Sequence, residues 1–288
     1  MIGVFDSGSG GLTVLRALES ALPDEAFVYL GDHGNAPYGN RAPDEIYDLT
    51  LLSLARLFDY GCSLVVIACN TAAATGLRKL QQTWLPRLYP DRRVIGVIVP
   101  VVEEITGVPW SAKPAIKPLY PDQPAKRVAI FATQHTVRSN AYVVEVQNRN
   151  PAVQVYQRAC PGLVPLIEQA APERILCNEV RENVQALLET VPAMPDVCVL
   201  GCTHYPLVEH IFRDELPDVV RIISQSEVCA QSFVEYLKMH PHFSHAGSGS
   251  NQYFTTGEID QVSDLASRFY NSKVEFLKMP GLDYRYAV

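Results

Sequence analysis

The sequence predicts an α/β protein built from two parallel-sheet domains. Short apolar runs rich in Val, Leu and Ile alternate with stretches of helical periodicity, the pattern of buried parallel strands joined by helices. Several of these runs end abruptly in small and polar residues, and ligands of open α/β sheets collect beyond the carboxyl ends of such strands. The pattern also occurs twice along 288 residues, a length beyond an ordinary domain of about 100 to 200 residues.

The first strand is Ile2-Gly3-Val4-Phe5, followed by the turn Asp6-Ser7-Gly8-Ser9-Gly10-Gly11 and a helix marked by Leu12, Leu15 and Leu18. Glycines let a backbone approach a ligand, and free amides at the next helix start favour an anionic group. An ordinary tight β-to-α turn with a polar cap fits the same residues. Phe27-Val28-Tyr29-Leu30 is the second strand, and Gly31-Asp32 at its tip raises the idea of a dinucleotide site. Gly8, Gly10 and Gly11 depart from the GxGxxG spacing that positions a pyrophosphate, which argues against that idea. The loop Asn35-Ala36-Pro37-Tyr38-Gly39-Asn40 reads equally as a plain turn or as a wall of a binding site.

Apolar positions from Asp44 to Tyr60 recur at helical spacing and stop at Gly61. A strand from Leu64 then runs into Ala68-Cys69-Asn70-Thr71, and a further helix starts at Asn70. Cys69 is thereby placed at a helix N-terminus, where the partial positive charge lowers a thiol pKa from about 8.5. Val94 to Ile98 is expected as the next strand, ending at Pro100 with a helix after it. Between 107 and 126, Pro109, Pro114, Pro118, Pro121 and Pro124 prevent regular structure, so an irregular surface loop surrounds Trp110 and Tyr120.

Arg127 to Ala132 resumes the strand pattern and ends in the polar tip Thr133-Gln134-His135-Thr136. A strand at Val153 to Tyr156 and a segment from Leu163 to Glu168 follow. Glu168 lies among apolar residues, an arrangement that can raise a carboxyl pKa, while a solvated helix face is the plainer explanation. A helix through Val180, Val184 and Leu187 leads to the apolar strand Val197 to Leu200, which delivers Gly201-Cys202-Thr203-His204-Tyr205-Pro206. Each half thus supplies one polar strand tip and one strand-tip cysteine, and duplicated halves facing each other would place Cys69 and Cys202 on opposite walls of one cleft. Beyond Pro206, helix and strand alternate again, and the end of the chain from Phe254 through Phe269 to Leu277 reads as structural.

Composition narrows the classes of function. A net charge of −7 argues against a broad phosphate-binding surface, so nucleic acid is not an expected partner. No run approaches the roughly 18 apolar residues of a membrane span, and the first residues do not form a signal peptide; a cytoplasmic protein without membrane association is expected. Seven cysteines scattered through apolar segments do not form a secreted disulfide framework. Cys62, Cys160, Cys177, Cys198 and Cys229 read as small buried side chains, whereas Cys69 and Cys202 stand out through their neighbours. Cys198, Cys202 and His204 lack the paired CxxC spacing of structural zinc motifs, and His240, His242 and His245 have no acidic or sulfur ligand close by in sequence, so no metal is expected.

Taken in order, Asp6-Ser7-Gly8-Ser9-Gly10-Gly11, Pro37-Tyr38-Gly39, Ala68-Cys69-Asn70-Thr71-Ala72 and Gly201-Cys202-Thr203-His204-Tyr205-Pro206-Leu207 resemble the cofactor-independent glutamate racemases of bacterial peptidoglycan synthesis. The resemblance implies two flavodoxin-like parallel-sheet domains related by a pseudo-twofold axis, with the active site in the cleft between them. It implies a discontinuous first domain, 1–97 with 208–288, and a second domain, 98–207. It further implies that Cys69 and Cys202 are the acid/base pair, that Asp6 assists Cys69, and that Glu168 and His204 assist Cys202. Asp6, Ser7, Pro37, Tyr38, Gly39, Asn70, Thr71, Thr203 and His204 would hold the substrate, with Thr133 and Thr136 adding hydrogen bonds from the second half. No cofactor is implied, the partner is the small molecule glutamate, and a homodimer is compatible with the resemblance. An aspartate-directed racemase of the same family and a weakly catalytic relative that binds a protein such as DNA gyrase are the alternatives. The chain departs from the family at Gln134-His135, in the length of the proline-rich excursion and at Ser224-Gln225-Ser226, which stands where an acidic turn is expected. With its first strand at Ile2, it is also expected to lack the N-terminal extension of members activated by a peptidoglycan precursor.

Overall fold

In the computed structural model, which describes residues 1–110, 126–245, 247 and 249–280, the chain divides into two compact α/β units. The prolines at 114, 118, 121 and 124 and Tyr120, expected in an irregular loop, lie outside the described residues. Unit 1 comprises Met1–Val97 and Cys229–Val288, and unit 2 comprises Ile98–Val228.

Unit 1 begins with β1 (Ile2–Asp6), α1 (Leu12–Ala21), β2 (Phe27–Gly31), α2 (Pro43–Asp59) and β3 (Leu64–Ile67). Helix α3 (Asn70–Lys79) then runs through a π-helical turn at Leu80–Trp84 into α4 (Leu85–Leu88), and β4 (Arg93–Gly96) follows. All residues of β1, β2 and β3 are buried, as strands covered by helices on both faces require. Helix α1 buries Leu12, Val14, Leu15 and Leu18, and α2 opens with Pro at its first turn followed by Asp44 and Glu45, which complement the helix dipole.

The strand expected to reach Ile98 stops at Gly96, and α5 (Ile98–Thr106) begins before Pro100 rather than after it. Proline lacks an N–H that the first helical turn would leave unbonded in any case, so it does not delay the helix. Unit 2 continues with β5 (Arg127–Ala132), α6 (Gln134–Ser139), α7 (Ala141–Arg149), β6 (Gln154–Ala159), α8 (Leu163–Glu168), α9 (Glu173–Leu188), β7 (Val197–Gly201), α10 (Glu209–Glu215) and β8 (Arg221–Ser224). Asn140, in the left-handed region at φ 53°, breaks the helix between α6 and α7.

The segment 208–228 belongs with unit 2, not with unit 1 as the resemblance implied. Strand β8 pairs in parallel with β7, from Val197 opposite Arg221 to Leu200 opposite Ser224, and α10 packs on α9. Ser224-Gln225-Ser226 is not a turn: β8 passes directly into α11 (Gln225–Met239), with the Gln225 side chain buried and donating to the Tyr142 hydroxyl at 2.6 Å. The chain then adds β9 (Gln252–Thr255), α12 (Ile259–Tyr270) and the short β10 (Leu277–Lys278) to unit 1.

Every strand pairing is parallel. The six-stranded sheet of unit 1 has the order β10-β9-β2-β1-β3-β4, and the four-stranded sheet of unit 2 has the order β6-β5-β7-β8. In both, the first strand is flanked by the second and third, so the connections leave it in opposite directions. The topological switch point of a doubly wound sheet therefore lies between β1 and β3 in unit 1 and between β5 and β7 in unit 2. Among the described residues no helix is long and apolar enough to cross a membrane.

Phe131 is central to unit 2: it is fully buried in β5, and its ring packs 5.1 Å from that of Phe212 on α10. Phe131→Ala is expected to lower unfolding free energy by about 3–5 kcal/mol, measured by urea denaturation; a loss under about 1 kcal/mol would contradict this packing.

Candidate active site

At the switch point of unit 1, β1 delivers Asp6 and Ser7 and β3 delivers Cys69, because Phe5 lies opposite Ile67 and both strands end within two residues of that pair. Asp6 is fully buried and accepts the Gly8 amide at 2.8 Å. The glycine at position 11 is obligatory here, since a Cβ would sit 2.6 Å from Asp6 Cβ and 3.0 Å from Ala68 Cβ. The turn is braced from β2, where the Tyr29 hydroxyl donates to the Gly8 carbonyl at 2.7 Å.

Cys69 is the N-cap of α3, accepting the Ala72 amide at 3.5 Å, and its thiol donates to Ser7 Oγ at 3.4 Å. Only 5% of the residue is exposed. The sequence placed it correctly at a helix start, but the expected fall in its pKa does not occur. Burial, seconded by the negative charge of Asp6, pushes the thiol up to about 12, and the bonds from Ser7 and Ala72 offset this only in part. Desolvation of a thiolate outweighs a helix terminus, so Cys69 rests as a thiol. Asn70 and Thr71, on the first turn of α3, are buried beside it in sequence.

Pro37, Tyr38 and Gly39 lie in the loop after β2, with a short 3₁₀ turn at Tyr38–Asn40. The Tyr38 phenol turns into the unit: it is 1% exposed and donates to Asp32 Oδ2 at 2.6 Å. Asp32 also accepts from Asn35 Nδ2 at 3.0 and 3.1 Å and from the Thr256 hydroxyl at 2.6 Å. An acidic residue so engaged is a structural hub, not the ribose ligand weighed in the sequence.

At the switch point of unit 2, β5 delivers Thr133 and β7 delivers Cys202, with Ala132 opposite Gly201. Thr133 caps α6 through the Thr136 amide at 3.3 Å, and the two threonine hydroxyls lie 3.0 Å apart. Cys202 is 5% exposed, and its sulfur lies 3.9 Å from His204 Nδ1. His204 Nε2 in turn meets Glu168 Oε1 at 2.9 Å. Glu168, at the end of α8, thus serves a buried histidine; it does not stand isolated among apolar groups. Burial pulls the His204 pKa down, but hydrogen bonds to Cys202 and Glu168 and their negative charge prevail and raise it to about 10. The imidazole is therefore shifted toward its protonated form, with Nδ1 facing the sulfur and Nε2 facing the carboxylate. Thr203 is buried between these two residues in sequence.

Unit 1 accordingly brings Asp6, Ser7 and Cys69 together, and unit 2 brings Cys202, His204 and Glu168 together. The sequence alone does not mark His33 as the partner of Ser9 in the first turn or Asp32 as the partner of Tyr38. Their signal was the pair of glycines at 31 and 34, which leave space around them. The histidines near 240 have other tasks: His240 stacks on Tyr236 at 4.2 Å and His245 Nε2 meets Ser63 Oγ at 2.8 Å. Among the described residues, no group of three or more His, Cys, Asp or Glu is arranged to hold a metal.

Comparison with known proteins bears on this geometry. The sequence profile of the Asp/Glu/hydantoin racemase family matches residues 2–232. The glutamate racemase of Roseobacter denitrificans is 45% identical over 276 residues, which cover 96% of this chain and 98% of that protein. The crystal structure of a glutamate racemase isoform from Bacillus anthracis has a TM-score of 0.83 at 28% identity, covering 99% of this chain and 97% of its own. The glutamate racemase of Francisella tularensis, solved in complex with D-glutamate, has a TM-score of 0.82 at 25% identity, with 98% and 97% covered.

Two measurements check the charge states. A histidine whose pKa is raised on folding, from about 6.5 to about 10, stabilises fully below the lower value and loses that contribution as pH rises through the upper one. The melting temperature should therefore fall between about pH 7 and pH 10 more steeply in wild type than in Glu168→Gln, where the pKa is less raised. Equal slopes would remove Glu168 as the cause. At Cys69, Asp6→Asn should lower the pH at which the thiol is alkylated by iodoacetamide, because a like charge is removed; an unchanged alkylation profile would separate Asp6 from the sulfur.

Proposed function

The chain belongs to the Asp/Glu/hydantoin racemase family, and we propose that it interconverts L- and D-glutamate by exchanging the α-proton between Cys202 and Cys69 on opposite faces of the α-carbon. The observation that carries the reading is a strand-tip cysteine at each switch point, each with its own acid/base neighbours. Glutamate is favoured over aspartate because a relative 45% identical over nearly the whole chain is a glutamate racemase.

Inversion requires that the proton return from the side opposite its removal, so one base is insufficient. With Cys202 as the base, its thiolate beside the protonated His204 takes the α-proton while the neutral Cys69 thiol donates to the other face. Negative charge then rests on the Cys69 sulfur, where the Ala72 amide and Ser7 hold it. The opposite enantiomer runs the sequence backwards. Asp6 keeps Cys69 protonated in the resting site and attracts the substrate ammonium, whose positive charge relieves the repulsion between Asp6 and a Cys69 thiolate.

The α-proton beside a carboxylate is very weakly acidic, so the carbanion-like transition state needs donors fixed in advance. Ser7, Asn70 and Thr71 supply them from unit 1, and Thr203, Thr133 and Thr136 from unit 2. Pro37, Tyr38 and Gly39 contribute backbone, since the Tyr38 phenol is committed to Asp32. The product D-glutamate serves peptidoglycan synthesis, and the cytoplasm, where thiols stay reduced, is the compartment in which both cysteines remain competent.

Cys69→Ser and Cys202→Ser are each expected to lower racemisation by roughly 10²- to 10⁴-fold or more, followed by circular dichroism on both enantiomers. In deuterated water the wild-type enzyme should incorporate deuterium at the α-carbon of glutamate and not of aspartate. Retention of full activity in either variant would defeat the two-cysteine reading, and absence of exchange would defeat the racemase reading itself.

A further inference from the structure

Strand β9, in the last part of the chain that the sequence presents as structural, ends at Thr255 opposite the tip of β2. Its pairing places Thr255 opposite Gly31 at the tip of β2. The fully buried Thr255 hydroxyl lies 2.9 Å from His33 Nδ1, which is also 3.1 Å from the Gly31 carbonyl. A carbonyl only accepts, so Nδ1 carries a hydrogen, and in the neutral ring Nε2 is left to accept the Ser9 hydroxyl at 2.9 Å. Ser9 is itself fully buried within the turn whose Gly8 amide holds Asp6.

The adjacent Thr256 runs a second line. Its hydroxyl accepts the Gly34 amide at 3.0 Å and donates to Asp32 Oδ1 at 2.6 Å, while Asp32 Oδ2 accepts the Tyr38 phenol. The backbone reserves room for this arrangement. A Cβ at Gly31 would lie 2.3 Å from the His33 ring, and one at Gly257 would lie 2.7 Å from His33 Cβ. Phe276 closes on the ring edge-on at a centroid distance of 5.6 Å.

We infer that Thr255 and Thr256 are positioning residues for the reaction, Thr255 fixing the Asp6–Gly11 turn through His33 and Thr256 fixing the Pro37–Gly39 wall through Asp32. The inference rests on the racemase reading of the site. Neither threonine touches the reacting atoms. Thr255 acts on the group next to the Cys69 thiol and so on the chemical step, whereas Thr256 acts on a wall that holds substrate and so on binding.

Valine keeps the shape of threonine and removes its hydroxyl, and serine keeps the hydroxyl. Thr255→Val should lower kcat roughly tenfold with KM within about twofold, and Thr256→Val should raise KM for glutamate roughly tenfold with kcat within about twofold. Thr255→Ser and Thr256→Ser should return both constants to near wild type. A Val variant with unchanged constants, or a loss that serine does not rescue and that follows the melting temperature alone, would overturn the role of that threonine. If wild type shows no α-proton exchange, the racemase reading fails by itself. The bracing is then judged by the rate of Cys69 alkylation, which Thr255→Val should change at least roughly threefold and Thr255→Ser should not; equal rates in all three proteins would overturn it.

Discussion

Cys69 and Cys202 each stand just past the carboxyl end of a fully buried parallel strand, and the rest of the architecture follows from keeping them there. A strand covered on both faces cannot shift its register without driving apolar side chains into helices that already occupy the space. The pairings of Phe5 with Ile67 and of Ala132 with Gly201 therefore fix where Cys69 and Cys202 emerge to within a fraction of a residue. At both switch points the neighbouring strand ends in polar residues, Asp6 and Ser7 in one unit and Thr133 in the other.

The two half-sites share a strand order and differ in electrostatics. Around Cys69, burial and then the negative charge of the buried Asp6 carboxylate disfavour charge on the sulfur. Around Cys202 the neighbour is a histidine held protonated by Glu168, so a positive charge is ready beside the sulfur. The two sulfurs thus stand beside charges of opposite sign. The same strand order therefore carries two different electrostatic surroundings, set by Asp6 at one tip and by His204 with Glu168 at the other.

Glycine has a specific part in this. Gly11 lets α1 close against Asp6 and Ala68, and Gly31 lets the His33 ring lie against the tip of β2. At Gly31 the missing Cβ leaves the His33 ring room to reach the Ser9 hydroxyl at 2.9 Å. Thr255 at the end of β9 and Thr256 just after it bond to His33 and Asp32, so a segment far along the chain reaches the loop that follows β2.

The apolar strands, the helices of 3.6-residue period and the polar tips at Asp6, Cys69, Thr133 and Cys202 were all legible in the sequence, because each depends on residues within a few positions of one another. The start of α5 before Pro100 was misread, since proline is compatible with both a helix start and a strand end. The place of 208–228 in unit 2 depends on β8 finding β7, a pairing that leaves no local mark on residues 221–224. Protonation was decided by tertiary structure alone: the helix terminus at Cys69 was visible, but its burial beside Asp6 was not, and the contact of Glu168 with His204 spans 36 positions. Local pattern determines where a strand ends and what it carries. Desolvation and the approach of residues distant in sequence determine the charge on what is carried, because both depend on every element that packs around the site.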